Sequence, residues 1–284
     1  MRGGAEGSPP DRRGAAERGA VRIEAFARTD VGRARSGNED AFLVADLTDP
    51  CALRHSVVLE RKVGKCGVLL LVADGMGGMA AGEVASAMAT DAIYAYLTES
   101  SRAKATEPGL FVTRLQDAFR TANDGIHEYA LAHPTLRGMG TTATAAGFLE
   151  GAVYVAQVGD SRAYLVRERR IRQLTQDQSL TAHLGERAEG AENGAEATAH
   201  RHVVLQALGP ATEVSVAMTR QRVQREDALV LCSDGLSSVV SSDEIAAVVS
   251  GESSISAACD RLVGLANERG GPDNITIVLA RVTR

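Results

Sequence analysis

Thr141-Thr142-Ala143-Thr144-Ala145-Ala146-Gly147-Phe148-Leu149 and Ala152-Val153-Tyr154-Val155-Ala156-Gln157-Val158 are two apolar runs separated only by Glu150-Gly151. A parallel pair needs a crossover of a dozen or so residues, whereas two residues suffice for a hairpin, so these runs predict antiparallel strands. The pattern repeats at once, because Ala163 to Val166 and Ile171 to Leu174 are joined by the short step Arg167 to Arg170. Antiparallel pairing is the organising theme.

Working outward, Val21 to Arg28, Ala41 to Ala45, the run from Val68, about Glu213 to Val223, Ala228 to Cys232 and Ile275 to Val282 also read as strands. Between them, Val84, Met88, Ala92 and Tyr96 recur at helical spacing within Gly82 to Ser100, and Phe111, Leu115, Ala118, Ala122, Ile126 and Tyr129 mark a longer amphipathic helix. A second pair of helices is expected near the carboxyl end, one capped by Ser242 and Asp243 and running through Val249, the other covering about Ser254 to Glu268. Antiparallel groups of strands with helices inserted in pairs favour an α+β sandwich over a doubly wound parallel sheet.

Residues 1–20, rich in Gly, Arg, Ala and Pro, cannot bury enough apolar surface to offset ordering entropy and are expected to be a disordered tail, leaving 21–284 as the folded domain. Residues 46–66 read as a polar insertion, and Gly185 to Ala199, rich in Ala, Gly and Glu without periodicity, as part of a mobile flap over about 178–205. The chain has 284 residues with 31 Lys and Arg against 36 Asp and Glu, so its net charge of -5 gives no reason to expect a nucleic acid or an anionic membrane as partner. Cys51, Cys66, Cys232 and Cys259 lack CxxC spacing and read as reduced core or loop residues. With no secretory h-region and no apolar stretch near the roughly 20 residues of a spanning helix, a cytoplasmic monomer is expected.

The chemistry lies at the ends of the strands. Val68-Leu69-Leu70-Leu71-Val72-Ala73 runs into Asp74-Gly75, Val153 to Val158 into Gly159-Asp160-Ser161, and Ala228 to Cys232 into Ser233-Asp234-Gly235. Taken singly, each is a common turn. Together with Glu39-Asp40 and Asp273-Asn274 they place five acidic points near buried apolar residues, where like charges raise one another's pKa unless a cation neutralises them. An all-oxygen set without a His or Cys pattern suits Mg²⁺ or Mn²⁺. Arg35, four residues before Glu39, could grip a phosphate in bidentate fashion. Carboxylates plus one arginine point to phosphoryl chemistry.

Seven motifs then occur in one order: Arg35-x-x-Asn38-Glu39-Asp40; Val72-Ala73-Asp74-Gly75-Met76-Gly77-Gly78 with Ala81-Gly82-Glu83; Gly140-Thr141-Thr142; Val158-Gly159-Asp160-Ser161-Arg162; Leu174-Thr175-x-Asp177; Ser233-Asp234-Gly235-Leu236; and Asp273-Asn274-Ile275-Thr276. In these the chain resembles the bacterial PPM/PP2C-type metal-dependent protein serine/threonine phosphatases, from about Ile23 to Val282. The resemblance implies a four-layer α-β-β-α sandwich of two antiparallel sheets flanked by helix pairs, with a binuclear centre of Mn²⁺ or Mg²⁺ at one end. It implies that Asp74 bridges the two ions, that Glu39 and the Gly75 carbonyl complete one, and that Asp234 and Asp273 bind the other. Asp160, with Asp234, would help hold a weaker third ion. Asp40 would fix a metal-bound water, and Arg35, Asp74 and Asp234 would carry the catalytic work, attack by a metal-bridging hydroxide on phosphoserine and phosphothreonine esters. The implied partners are phosphorylated proteins, serine/threonine kinases among them. Many eukaryotic relatives carry a His after the Asp-Gly pair, and here Met76 stands there, so the leaving oxygen must take its proton from elsewhere.

Overall fold

The computed structural model describes residues 21–56, 58–101, 107–180 and 204–284; the expected tail over 1–20 and most of the expected flap lie outside the described residues. In chain order the elements are β1 (Arg22–Asp30), β2 (Asp40–Asp46), β3 (Cys51–Leu53), β4 (Leu59–Lys62), β5 (Val68–Met76), α1 (Met79–Ser101) and α2 (Pro108–Ala132). Then follow β6 (Gly140–Thr141), β7 (Ala143–Leu149), β8 (Ala152–Val158), β9 (Arg162–Arg167), β10 (Arg170–Gln173), β11 (Ala217–Arg222), β12 (Ala228–Cys232), α3 (Asp234–Ser237), α4 (Ser242–Gly251), α5 (Ile255–Glu268) and β13 (Ile275–Val282).

One sheet has the order β10-β9-β12-β13-β1-β4 and the other β11-β8-β7-β5-β2-β3, with β6 beside β5. Every pairing is antiparallel. Three cores separate four layers. Leu70, Val72, Phe148, Val153, Leu165 and Val278 meet between the sheets, Ile93, Leu97, Phe111 and Phe119 pack on Leu69, Leu71 and Tyr154, and Ile245, Ile255 and Leu262 pack on Val230, Ile277 and Leu279. The expected α-β-β-α sandwich is the observed one.

The central strands explain their own sequence. Along β5, Val68, Leu70 and Val72 face the other sheet while Leu69 and Leu71 face α1 and α2, so both faces are dry and the run shows no polar alternation. Each such side chain contributes roughly 1.5–3 kcal/mol on burial. The two hairpins are tight: Glu150 and Gly151 (φ 47° and 73°) and Glu168 and Arg169 (φ 51° and 63°) turn with positive φ at both positions, which matches the strand twist.

Several local expectations are corrected. The buried row of α1 is Ala81, Ala85, Ala89, Ile93 and Leu97, with Val84, Met88, Ala92 and Tyr96 packed only on its flank. Residues 46–66 contain the short strands β3 and β4, the strand expected over Glu213 to Val223 is confined to Ala217–Arg222, and Tyr129 is exposed. The cap of α4 is Ser241, whose hydroxyl accepts from the Glu244 amide while the Glu244 carboxylate accepts from the Ser241 amide. Cys66, Cys232 and Cys259 are buried, Cys51 is partly exposed, and none of the four is in a disulfide. No helix among the described residues is long and apolar enough to cross a membrane.

Candidate active site

β2 begins, β5 and β12 end and β13 begins at one end of the sandwich, and this brings together acids far apart in sequence. Asp40 and Asp74 are register partners across β2 and β5. A cavity of about 220 Å³ opens there, lined by Arg35, Glu39, Asp74, Gly75, Met76, Thr142, Asp160, Val204, Asp234 and Asp273 among others. All but one of the site residues expected from sequence line it. The exception, Asp40, lies just behind.

The Asp-Gly pairs are not turns. Asp74 and Gly75 lie within β5, whose last residues pair with β6, and Asp234 and Gly235 open α3. Glycine is required because the chains touch: a Cβ on Gly75 would stand 2.2 Å from the Gly82 carbonyl oxygen and 2.6 Å from that of Glu39, and one on Gly235 would stand 2.0 Å from that of Asn274. Only Gly159, with φ 101°, fits the turn reading.

Electrostatically the cleft is crowded. Desolvation, then the charges of Asp40, Asp234, Asp160 and Asp273, push the Asp74 carboxyl well above its ordinary range. Asp40 is pushed up to about 7 by burial first, against the lowering hydrogen bonds of Thr276 and Ser233. Burial and the neighbouring Asp234 and Asp177 raise Asp160 to about 6, and Glu39 is raised by burial despite Arg35. Arg35 donates from Nη2 to Asp273 Oδ2 at 2.7 Å.

The supporting contacts come from residues to which sequence reasoning gave no role. Thr142 Oγ1 accepts from the Asp74 amide (3.1 Å) and lies 2.7 Å from Ser161 Oγ, joining β5 to the Asp160 turn. Thr141 Oγ1 donates to the Asp74 carbonyl at 2.9 Å. Asn274 accepts from the Glu39 amide (2.8 Å) and donates to the carbonyls of Val31 and Gly37 (2.8 and 2.9 Å), holding the loop that carries Arg35 and Glu39. Ser233 Oγ donates to Asp40 Oδ2 at 2.7 Å. Arg162 holds Asp177 through Nε and Nη2, and Gln178 donates its amide to the Gly159 carbonyl, so the described root of the expected flap is tied to the Asp160 turn.

This donor set fits hard divalent cations. The ligands are carboxylates and a carbonyl, burial and then the neighbouring acids raise Asp74, Asp40 and Asp160, which a cation would oppose, and Asp40 Oδ1 is buried without a hydrogen-bond partner. No three His, Cys, Asp or Glu side chains among the described residues are drawn up around one ion-sized point. The acids line a roomy cleft instead, as expected for ions that keep several waters.

Comparison with known proteins agrees with this chemistry. The sequence model of the family described as "Protein phosphatase 2C" matches residues 58–274. The serine/threonine phosphatase stp of Listeria welshimeri is 36% identical over 252 residues, 89% of this chain and 93% of that protein. PstP of Mycobacterium tuberculosis is 35% identical over 259 residues, 90% of this chain and 44% of that protein. A crystal structure of the PstP catalytic domain in complex with two manganese ions superposes with a TM-score of 0.74 at 32% identity, covering 93% of this chain and all of that one. Stp1 of Staphylococcus aureus gives 0.79 at 31% identity over 92% of this chain and 95% of that one.

Proposed function

The chain belongs to the protein phosphatase 2C family, and we propose that it removes phosphate from phosphoserine and phosphothreonine in proteins within the acid-lined cleft. It is a metal-dependent protein serine/threonine phosphatase. The observation that carries this reading is the convergence of Glu39, Asp74, Asp160, Asp234 and Asp273 with Arg35 on one cavity.

Two ions, Mn²⁺ or Mg²⁺, would be held by Asp74 between them, by Glu39 and the Gly75 carbonyl on one side and by Asp234 and Asp273 on the other. Asp160 and Asp234 would hold a weaker third. When bound, such ions neutralise the phosphate and supply a water acidic enough to ionise near neutral pH. The residues of the chain do the rest. Arg35 exchanges its bond to Asp273 for the phosphate oxygens and orients the ester. Asp40, held by Ser233 and with Oδ1 free to accept, fixes a water behind Asp74. The Met76 thioether lines the cavity but carries no proton, so the leaving oxygen is protonated by water.

The natural substrates are proteins phosphorylated by serine/threonine kinases, including the kinases themselves, and the enzyme acts as a cytoplasmic monomer. The excess of acidic over basic residues supports a protein rather than a nucleic-acid or membrane partner. Hydrolysis of p-nitrophenyl phosphate and of a phosphothreonine peptide with Mn²⁺, with EDTA and Asp234→Asn as controls, tests the reading. Turnover that survives both controls refutes it.

A further inference from the structure

We propose that the sandwich edge formed by β10 and β11 is a docking surface for an extended acidic segment of the phosphoprotein substrate. Arg170 and Arg172 on β10 and Arg220 and Arg222 on β11 are all exposed. None of the four forms an ion pair with a described carboxylate. They are gathered on one edge of a molecule whose net charge is -5.

Among the described residues each strand ends its sheet, and the two edges adjoin: Arg172 donates to Gln221, and Arg167 Nη2 donates to the Arg222 carbonyl at 3.0 Å. Arg220 is also placed by Tyr154, whose hydroxyl accepts from Nε at 3.3 Å. Two of the nearby acids are already engaged, Asp227 by Arg167 and Glu226 by Arg225, which leaves Glu150 and Glu168 in the adjoining turns against the four arginines. A free strand edge presents unpaired backbone donors and acceptors, and like charge along it repels a second copy of the same edge. The same arginines favour an added strand bearing acids opposite them.

The edge leads to the cleft. Ala217 pairs with Gln157 and Arg220 with Tyr154, and β8 ends at Val158 just before Gly159 and Asp160. From Tyr154 to Asp160 an extended chain covers roughly 20 Å. Acids about six residues from the phosphorylated side chain would therefore reach the arginines.

The inference rests on the phosphatase reading, which p-nitrophenyl phosphate reports separately. With Mn²⁺-loaded enzyme, kcat/KM is measured on that ester and on two phosphothreonine peptides, one with neutral flanks and one with acids about six residues away. Arg220→Glu/Arg222→Glu and Arg170→Glu/Arg172→Glu should each lower kcat/KM for the acidic peptide about tenfold at low salt and leave the other two substrates unchanged. Arg220→Lys/Arg222→Lys should keep most of the preference, and added salt should erase it in the parent enzyme. A wild-type ratio of acidic to neutral peptide in both charge-reversed variants overturns the proposal. If that ratio persists while binding of single-stranded RNA is lost, the edge is a nucleic-acid surface and the proposal again fails.

Discussion

Asp227 and Asp74 are both enclosed acids, at opposite ends of the sandwich, and their surroundings differ. Asp227 accepts from Arg167 Nε and Nη2 at 2.7 and 2.6 Å and from the Gln224 amide at 2.8 Å. Its charge is compensated on every side. Asp74 instead faces Asp40, Asp160, Asp234 and Asp273, and Arg35, which lines the cleft, is bonded to Asp273. A fold that compensates its acids at one end and gathers them at the other carries a destabilising cluster where function needs it.

Exchanging the carboxylates for amides should separate the two ends. Asp74→Asn should abolish Mn²⁺-dependent hydrolysis by on the order of a thousandfold while raising the metal-free melting temperature, because one repelling charge is gone. Asp227→Asn should do the reverse, costing about 2 kcal/mol by leaving Arg167 without its carboxylate, with turnover per folded molecule unchanged. Denaturant melts without metal, paired with kcat/KM on a small ester, check both. If Asp74→Asn destabilises as much as Asp227→Asn, the contrast is wrong.

A pH series sharpens the same contrast. Folding raises the carboxyls of Asp74, Asp40 and Asp160, the last two to about 7 and about 6, so the metal-free folded state binds more protons than the unfolded chain. Their contribution is therefore most favourable below the ordinary carboxylate range and is lost as pH rises through the folded values. Stability of the metal-free protein should decline between about pH 4 and 7. Mn²⁺ competes with those protons, so the stabilisation it brings should grow over the same window. Equal melting curves at both pH values, with EDTA present, would contradict this.

The sequence made the layers legible because two-residue hairpins and long apolar runs admit few arrangements, and Glu39, Asp74, Asp160, Asp234 and Asp273 were visible as acids beside such runs. What could not be seen acts across the fold. Asn274 reaches Glu39, Ser233 reaches Asp40 and Thr142 reaches the Asp74 amide through contacts spanning 235, 193 and 68 residues, and nothing local marks them. On α1 the larger Val84 and Met88 carry the stronger apolar pattern, but close approach to the sheet selects the small Ala81, Ala85 and Ala89. The glycines of the Asp-Gly pairs are ambiguous for a related reason: turn statistics describe the backbone of a glycine, not the chain that passes over it.

That ambiguity yields the finest test of the two regions. A Cβ on Gly264, in α5, would meet no described atom outside its own helix within 4 Å, so Gly264→Ala should add up to about 1 kcal/mol through helix propensity and leave activity alone. Gly75→Ala must push against the backbone of Gly82 and Glu39. Because Asp74 directly precedes Gly75 and Glu39 is one of the two residues in the way, relieving contacts of 2.2 and 2.6 Å moves two acids relative to each other. The expected result is a modest loss of stability, about 1–3 kcal/mol, joined to weaker Mn²⁺ binding by calorimetry. Were Gly75 only a turn residue, Ala would be tolerated at its non-positive φ and metal affinity would not change, so calorimetry on this one variant decides between turn and contact.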